Sequence, residues 1–146
     1  MGTIRRTLLA GLVAVTAAGC GSDQTGPSPS TLTATWNATS AQFVSVANPS
    51  QMAELVGMGG SVALTLNANN TFTMTTTTPG KPVEQLAGTW SSSTDVLTLT
   101  YGSGNSQFDM TLNGDTLLLT GANGSFDVNG DSADEEVKVN LTLLRG

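Results

Sequence analysis

Hydrophobic and polar residues alternate along most of the chain after about residue 31. The clearest segment lies near the C-terminus, where Val137, Val139, Leu141 and Leu143 alternate with polar residues. A period of two places successive side chains on opposite faces of a strand, so one face is buried and the other meets water. The alternation recurs in shorter segments at 32–38, 62–66, 72–74, 86–90, 97–101, 108–112 and 117–119. This pattern predicts seven to nine short strands.

Short connectors rich in Gly, Pro, Asn and Asp separate these segments. They fall at 67–70, 79–82, 102–105 and 113–115. Links this short join antiparallel neighbours, so the predicted topology is largely a meander. The strands carry almost no Lys to protect a sheet edge, and a closed barrel has no edge to protect. We therefore predict an all-β, antiparallel up-and-down β-barrel of about eight strands, spanning residues 31–146.

The segment 41–60 does not follow the alternation. Ser50 is a residue type that often begins a helix, and Gly57 or Gly59 would end one. The sequence is compatible with one or two helical turns here and equally with a plain loop.

The N-terminus has the layout of a secretory signal. Arg5 and Arg6 precede an uncharged apolar stretch, residues 8–18, that is too short to span a hydrocarbon core. The segment 17–20, Ala-Ala-Gly-Cys, resembles a bacterial lipobox, although the family prefers Leu at its first position. The alternative is an ordinary secreted protein with a free thiol.

The lipobox resemblance implies a defined processing chemistry. Signal peptide 1–19 would be removed, Cys20 would receive a diacylglycerol, and its new amine would receive an acyl chain such as palmitate. Several acyl chains give stable anchoring to a membrane. Residues 20–30, rich in Gly, Ser and Pro after the cysteine, would then form a flexible tether. Position 21 is Gly and not Asp. By resemblance to the sorting rules of Gram-negative lipoproteins, we expect a lipid-anchored protein of the bacterial cell envelope, at the outer membrane or cell surface.

Composition excludes several functions. The chain has no His and a single Cys, which removes Ser–His and Cys–His catalysis and His- or Cys-based zinc sites. No sequence feature pairs two carboxylates, so we expect neither an enzyme nor a cofactor. From Cys20 onward, three basic residues stand against eleven acidic ones, a formal charge of −8. This charge argues against binding nucleic acid or anionic lipid headgroups.

Two near-copies of a short motif suggest a family. Residues 32–36 and 86–90 both read Leu-x-small-Thr-Trp, and residues 126–131 read Phe-Asp-Val-Asn-Gly-Asp. With the final Leu144-Arg145, these segments resemble the bacterial lipocalin-like lipoproteins over roughly residues 31–146. The resemblance implies an up-and-down barrel and a carrier of a small apolar molecule. It departs from the family at Ala34, where lipocalins usually have Gly.

The resemblance also implies a structural role for two residues. Arg145 would lie over the Trp36 ring and close the base of the barrel through a cation–π contact.

A hollow barrel would be lined by the larger inward-facing residues. These candidates are Phe72, Met74, Trp90, Tyr101, Phe108 and Met110. Small residues such as Gly88 also point inward and would leave room for a ligand. A fully packed core is the alternative. Because the sequence has no basic pair for an anionic head group, we expect any ligand to be neutral and apolar.

The acidic segment near the C-terminus partly matches a calcium loop. Asp127, Asn129 and Asp131 have the spacing of the first three EF-hand ligands, and Glu135 stands at the ninth position. Lys138 replaces the bidentate Glu at the twelfth position. The alternative is a solvated acidic hairpin without a metal.

Two functions therefore stay open at the level of sequence. One is a membrane-anchored carrier of a small apolar ligand. The other is a non-enzymatic envelope or surface protein that has a packed barrel and acts through its exterior, with protein partners that the sequence does not specify.

Overall fold

The computed structural model describes residues 27–146. The predictions for the signal peptide, for Cys20 and for most of the tether concern residues outside this range.

The described chain consists of one short helix and nine strands. Their bounds are α1 (Pro29–Leu32), β1 (Ala34–Ser45), β2 (Met52–Glu54), β3 (Ser61–Leu66), β4 (Thr71–Thr77), β5 (Glu84–Ser93), β6 (Val96–Tyr101), β7 (Gly104–Asn113), β8 (Thr116–Phe126) and β9 (Glu135–Arg145).

The strands close into a barrel. From β3 to β9 each strand pairs antiparallel with the next one in sequence, and β1 pairs with β3. The last strand, β9, returns to β1 and pairs with it from Trp36↔Arg145 to Ser45↔Val137. Eight strands thus form a closed antiparallel barrel, which confirms the predicted fold class.

The segment 41–60 differs from both sequence interpretations. Residues 41–45 extend β1, and Met52–Glu54 forms the additional strand β2, which pairs with Gln42–Val44. The predicted helical turns are wrong because the backbone of Met52–Glu54 pairs with β1, and the backbone bonds that follow, such as Met58 N–H to the Glu54 carbonyl, form only a turn. The Glu54 carboxylate fixes the arrangement, since its Oε1 accepts a hydrogen bond of 2.6 Å from the Ala41 N–H and its Oε2 accepts one from the Gly57 N–H.

The start of the barrel domain also differs from the prediction. The alternation suggested a strand from Leu32, but Pro29–Leu32 forms a helical turn and β1 begins at Ala34. The Ser28 hydroxyl caps the turn by accepting from the Thr31 N–H, and Pro29 occupies a first-turn position that needs no N–H donor. Leu32 is fully buried, so α1 covers one end of the barrel.

The two ends of the barrel are different. The closed end carries α1, the β3–β4, β5–β6 and β7–β8 turns and the C-terminal Arg145. The open end carries the loops 46–51, 55–60, 78–83, 102–103 and 127–134. Inward-facing apolar residues form one continuous core between these ends. Among the residues described, no helix has both the length and the hydrophobicity needed to cross a membrane.

Candidate ligand-binding site

The half of the barrel near the open end is hollow. It contains a cavity of about 250 Å³. Its floor and walls are mainly apolar side chains from strands all around the barrel. They include Val62, Met74, Leu86, Leu99, Phe108 and Leu141.

The structure divides the six predicted lining residues into two groups. Met74, Tyr101 and Phe108 line the cavity. Phe72, Trp90 and Met110 do not, because each lies nearer the closed end of its strand and is buried in the packed core.

Trp90 shows how the closed half of the barrel is filled. Its indole Nε1 donates a 3.0 Å hydrogen bond to the Asn67 carbonyl in the β3–β4 turn at the closed end. The barrel is therefore packed in its closed half and hollow in its open half. The packed core that the sequence left open holds for the closed half, and the hollow barrel holds for the open half.

Aromatic rings form one wall of the cavity mouth. Phe43 and Phe126 stack face to face, with ring centroids 4.3 Å apart and planes inclined by 7°. The Lys81 ammonium lies 5.9 Å from the Phe126 centroid, within the range of a cation–π contact. A third aromatic, Tyr101, shares a hydrogen bond of 2.9 Å with the Ser106 hydroxyl. The mouth thus combines aromatic faces with a few polar groups.

Charged side chains border the mouth, and the sequence reasoning missed them. Lys81, Glu84 and Asp134 all contribute to the cavity lining. The six large residues predicted as the lining include none of these charged side chains, so the prediction described the interior of the cavity and not its mouth. The meander topology could have predicted these charges. Every second loop of a meander lies at the same end of the barrel, so the 78–83 and 127–134 loops lie at one end.

Arg145 and Trp36 lie against each other at the closed end. The Arg145 Cζ is 4.5 Å from the centroid of the Trp36 ring, which is fully buried. The Arg145 Nη2 donates to the Thr31 carbonyl at 2.8 Å, and its Nε lies 3.3 Å from the Asp115 carboxylate. The Trp36 Nε1 donates to the Leu32 carbonyl at 2.9 Å. These contacts attach α1 to the barrel and seal this end.

The acidic candidates for calcium come together in the 127–134 loop and at the start of β9. Carboxylate oxygens of Asp127, Asp131 and Glu135 lie within 4.8 Å of one another. The Glu135 carboxylate accepts hydrogen bonds from the Val128 N–H at 2.8 Å and the Asn129 side-chain amide at 3.0 Å. The loop itself therefore provides partners for this carboxylate, and a Ca²⁺ site stays a prediction.

The same loop stabilises the charged form of Asp127. Burial acts to raise the pKa of this carboxyl, but backbone N–H groups of Ser132, Gly130 and Asp131 donate to it and together lower the pKa below its ordinary value.

Comparison with known proteins agrees with this architecture. The family model described as a lipocalin-like domain matches residues 32–119. The chain belongs to the lipocalin-like domain family. The match covers β1 to β7 and the start of β8, and the rest of β8 together with β9 completes the lipocalin-like barrel in the structure. No curated protein matches the chain.

Proposed function

We propose that this lipocalin-like protein is a membrane-anchored, non-enzymatic binder of a small molecule with an apolar body. The observation that carries the proposal is the 250 Å³ cavity in the open half of the barrel. Within the described residues, the barrel presents this apolar space at the end opposite α1 and leaves a mouth between loops.

The cavity volume limits the size of the guest. A cavity of about 150 Å³ accommodates benzene, whereas pockets for drug-sized ligands measure about 300–1,000 Å³. The cavity of 250 Å³ lies between these values. Scaling from benzene gives a guest of about ten non-hydrogen atoms.

The anchor is proposed to be Cys20, on the lipobox resemblance. Eight residue steps along the chain lead from Cys20 to Ser28, which caps α1 at the closed end. Eight residues span at most about 29 Å when fully extended. This distance is close to the height of the barrel itself, since the eleven residues of β9 rise about 28 Å if the strand is tilted by about 40°. The tether therefore favours an arrangement with the closed end at the bilayer and the open end facing away from it.

The methyl groups of the methionines can report ligand binding by NMR, because they lie in the cavity, in the core and on the surface. Met74 lines the cavity, Met110 is buried in the core, and Met52 and Met58 are exposed. The mature protein in phosphatidylcholine nanodiscs should be titrated with 3-phenylpropan-1-ol, with empty nanodiscs as the blank. We expect the ¹³C-methyl NMR signal of Met74 to shift in a saturable manner while the signals of Met52 and Met58 stay in place.

Two variants of neighbouring residues on β5 control this experiment. Leu86→Trp places a large ring in the cavity, whereas Ala87→Trp places the same ring on the outer surface. We expect Leu86→Trp to abolish the saturable shift and Ala87→Trp to retain it. A Met74 signal that never moves in the unmodified protein would contradict the carrier function.

A second candidate is a surface protein that acts through its exterior. It is supported by four exposed apolar side chains on or beside the open-end loops, which are Val46, Met52, Met58 and Val83. This candidate would replace the first if the cavity takes up no ligand.

A further inference from the structure

We propose that the ligand of the cavity is an amphiphile whose apolar body enters the barrel and whose protonated amine stays at the mouth. This inference rests on the proposed function and specifies the chemical class of its ligand. It differs from the neutral ligand that the sequence suggested.

The first reason is the distribution of charge along the cavity. The deep walls are aliphatic and aromatic, so a charged group there would lose its hydration without compensation. At the mouth stand two carboxylates, Glu84 and Asp134, and one ammonium, Lys81. A ligand that fills the cavity therefore places its outer end beside a net negative charge.

The second reason is that neither mouth carboxylate has an ion-pair partner within residues 27–146. Among residues 27–146, the ion pair that is present joins Arg145 and Asp115, at the opposite end of the barrel. Asp134 accepts a hydrogen bond of 3.3 Å from the Ser125 hydroxyl. Both carboxylates thus keep their charge available for an incoming cation.

The third reason is the position of Lys81. Its ammonium lies over the Phe126 ring, which is itself stacked on Phe43. An aromatic face attracts a cation through its quadrupole, and this ring already holds one at the cavity mouth. A ligand ammonium that reaches the same ring gains the same attraction, and the exposed, flexible Lys81 side chain moves aside.

The surrounding charge disfavours the opposite head group. The charged residues at the open end of the barrel are mainly acidic. They are Glu54, Glu84, Asp127, Asp131, Asp134, Glu135 and Glu136 against Lys81 and Lys138. An anionic head group at the mouth would meet one nearby ammonium and several carboxylates, so its binding is opposed electrostatically.

Three compounds with one apolar body isolate the contribution of the head group. They are 3-phenylpropylamine, 3-phenylpropan-1-ol and 3-phenylpropanoate, whose size of about ten non-hydrogen atoms suits the cavity. Dissociation constants come from the Met74 methyl shift at pH 7 in phosphatidylcholine nanodiscs. We expect the amine to bind about tenfold tighter than the alcohol, and the carboxylate more weakly than the alcohol.

Charge variants identify the residues responsible. Glu84→Gln and Asp134→Asn should each weaken amine binding by about two- to fivefold, a larger change than either variant makes to alcohol binding. Asp109→Asn, on the outer face of β7, is the matched control and should change neither. Lys81→Met removes the internal cation and should strengthen amine binding.

The outcomes separate this inference from the proposed function. Equal affinity for amine and alcohol, or tighter binding of the carboxylate, overturns the amine proposal and leaves the cavity as a ligand site. A loss of carboxylate binding in Lys81→Met would show that Lys81 recognises anions and also overturns it. If none of the three compounds shifts Met74, the proposed function fails together with this inference.

Discussion

Arg145 connects three parts of the closed end at once. Its guanidinium covers the Trp36 ring, donates to the Thr31 carbonyl of α1 and faces Asp115 in the β7–β8 turn. The ion pair is exposed on its acidic side, so solvent screens much of its attraction. The contact with the buried indole is desolvated on the ring side, and for this reason we expect it to contribute more than the ion pair.

A double-mutant cycle measures this contact. Arg145→Ala and Trp36→Leu should show a coupling free energy of about 0.5–2 kcal/mol in chemical denaturation. The cycle cancels the bond to Thr31 because that bond is lost in both variants that lack Arg145. Asp115→Asn serves as the control for the ion pair and should cost less than about 1 kcal/mol. A coupling near zero would show that the ring contact contributes nothing to stability.

A second prediction at this scale concerns Glu54 and pH. The backbone N–H of Ala41 donates to the Glu54 carboxylate, and this bond is the main reason why the pKa of Glu54 lies below its ordinary value of 4.5. A lowered pKa in the folded state means that the stabilisation is present above pH 4.5 and is lost as the pH falls through the folded value. Glu54→Gln should therefore be less stable than the unmodified protein at pH 7 by about 1 kcal/mol.

Urea denaturation at several pH values tests this prediction. The difference in free energy of unfolding between the two proteins should narrow as the pH falls below 4.5. Glu84→Gln offers a control for the removal of one carboxylate elsewhere in the barrel, because Glu84 lies at the cavity mouth, away from the bond between Glu54 and β1. A difference that stays constant down to pH 3 would contradict the role assigned to the Glu54 carboxylate.

At the scale of elements, the backbones of β5 and β6 lie close together at Gly88, and this contact leaves no space for a ligand there. Gly88 faces inward on β5, but the space beside it is not part of the cavity. A Cβ at this position would collide with the Thr100 carbonyl oxygen and would also lie 3.1 Å from the Phe72 ring. The expectation that Gly88 leaves room for a ligand is therefore wrong, because the neighbouring backbone and an aromatic ring occupy that room.

Gly88→Ala should accordingly destabilise the barrel by about 1–3 kcal/mol. Gly102→Ala is the control, since a Cβ in that turn meets no atom within 4 Å and Gly102 does not require a left-handed backbone. We expect this control to change stability by less than about 0.5 kcal/mol. Melting temperatures of both variants, measured by circular dichroism, check the contrast. Equal melting temperatures would contradict the close approach of the two strands.

At the scale of the whole molecule, the proposed anchor would also set the orientation of the barrel. The described chain starts beside the closed end, so a tether from a lipidated Cys20 would hold that end near the bilayer. The open end carries mainly carboxylates, which anionic lipid headgroups repel. In this orientation the open end would face away from those headgroups. A ligand would be exchanged with the aqueous side of the membrane and not with its lipids.

Partitioning in Triton X-114 tests the anchor. The unmodified protein should enter the detergent phase, and Cys20→Ser should move it to the aqueous phase because the acyl chains are missing. Unchanged partitioning would contradict lipidation.

Fluorophore labels test the orientation. Asp95→Cys places a thiol in the β5–β6 turn at the closed end, and Val83→Cys places one in an exposed open-end loop. Labels at the two positions should respond differently to a quencher carried on lipid headgroups, with stronger quenching at position 95. Equal quenching at both positions would contradict the proposed orientation even if Cys20 is lipidated.

The sequence by itself determined most of the strand segments and which of their faces is buried. The pleat reverses side-chain direction at every residue, so the alternation around Val137–Leu143 reports burial locally and the structure retains it. Short turns imposed antiparallel neighbours, and the lack of edge protection indicated closure. The family resemblance identified Trp36 and Arg145, whose side chains the structure places in contact.

Only the tertiary structure decided where the barrel is hollow. Phe72 and Met74 have the same phase on β4, yet one is packed in the core and the other lines the cavity, because filling depends on side chains that meet across the barrel from distant strands. The same reason explains the other differences. The strand β2 forms through bonds to β1, and Lys81 and Asp134 both line the mouth although they are 53 positions apart in sequence. Contacts between distant segments leave no periodic trace in the sequence, so these features appear only when the barrel closes.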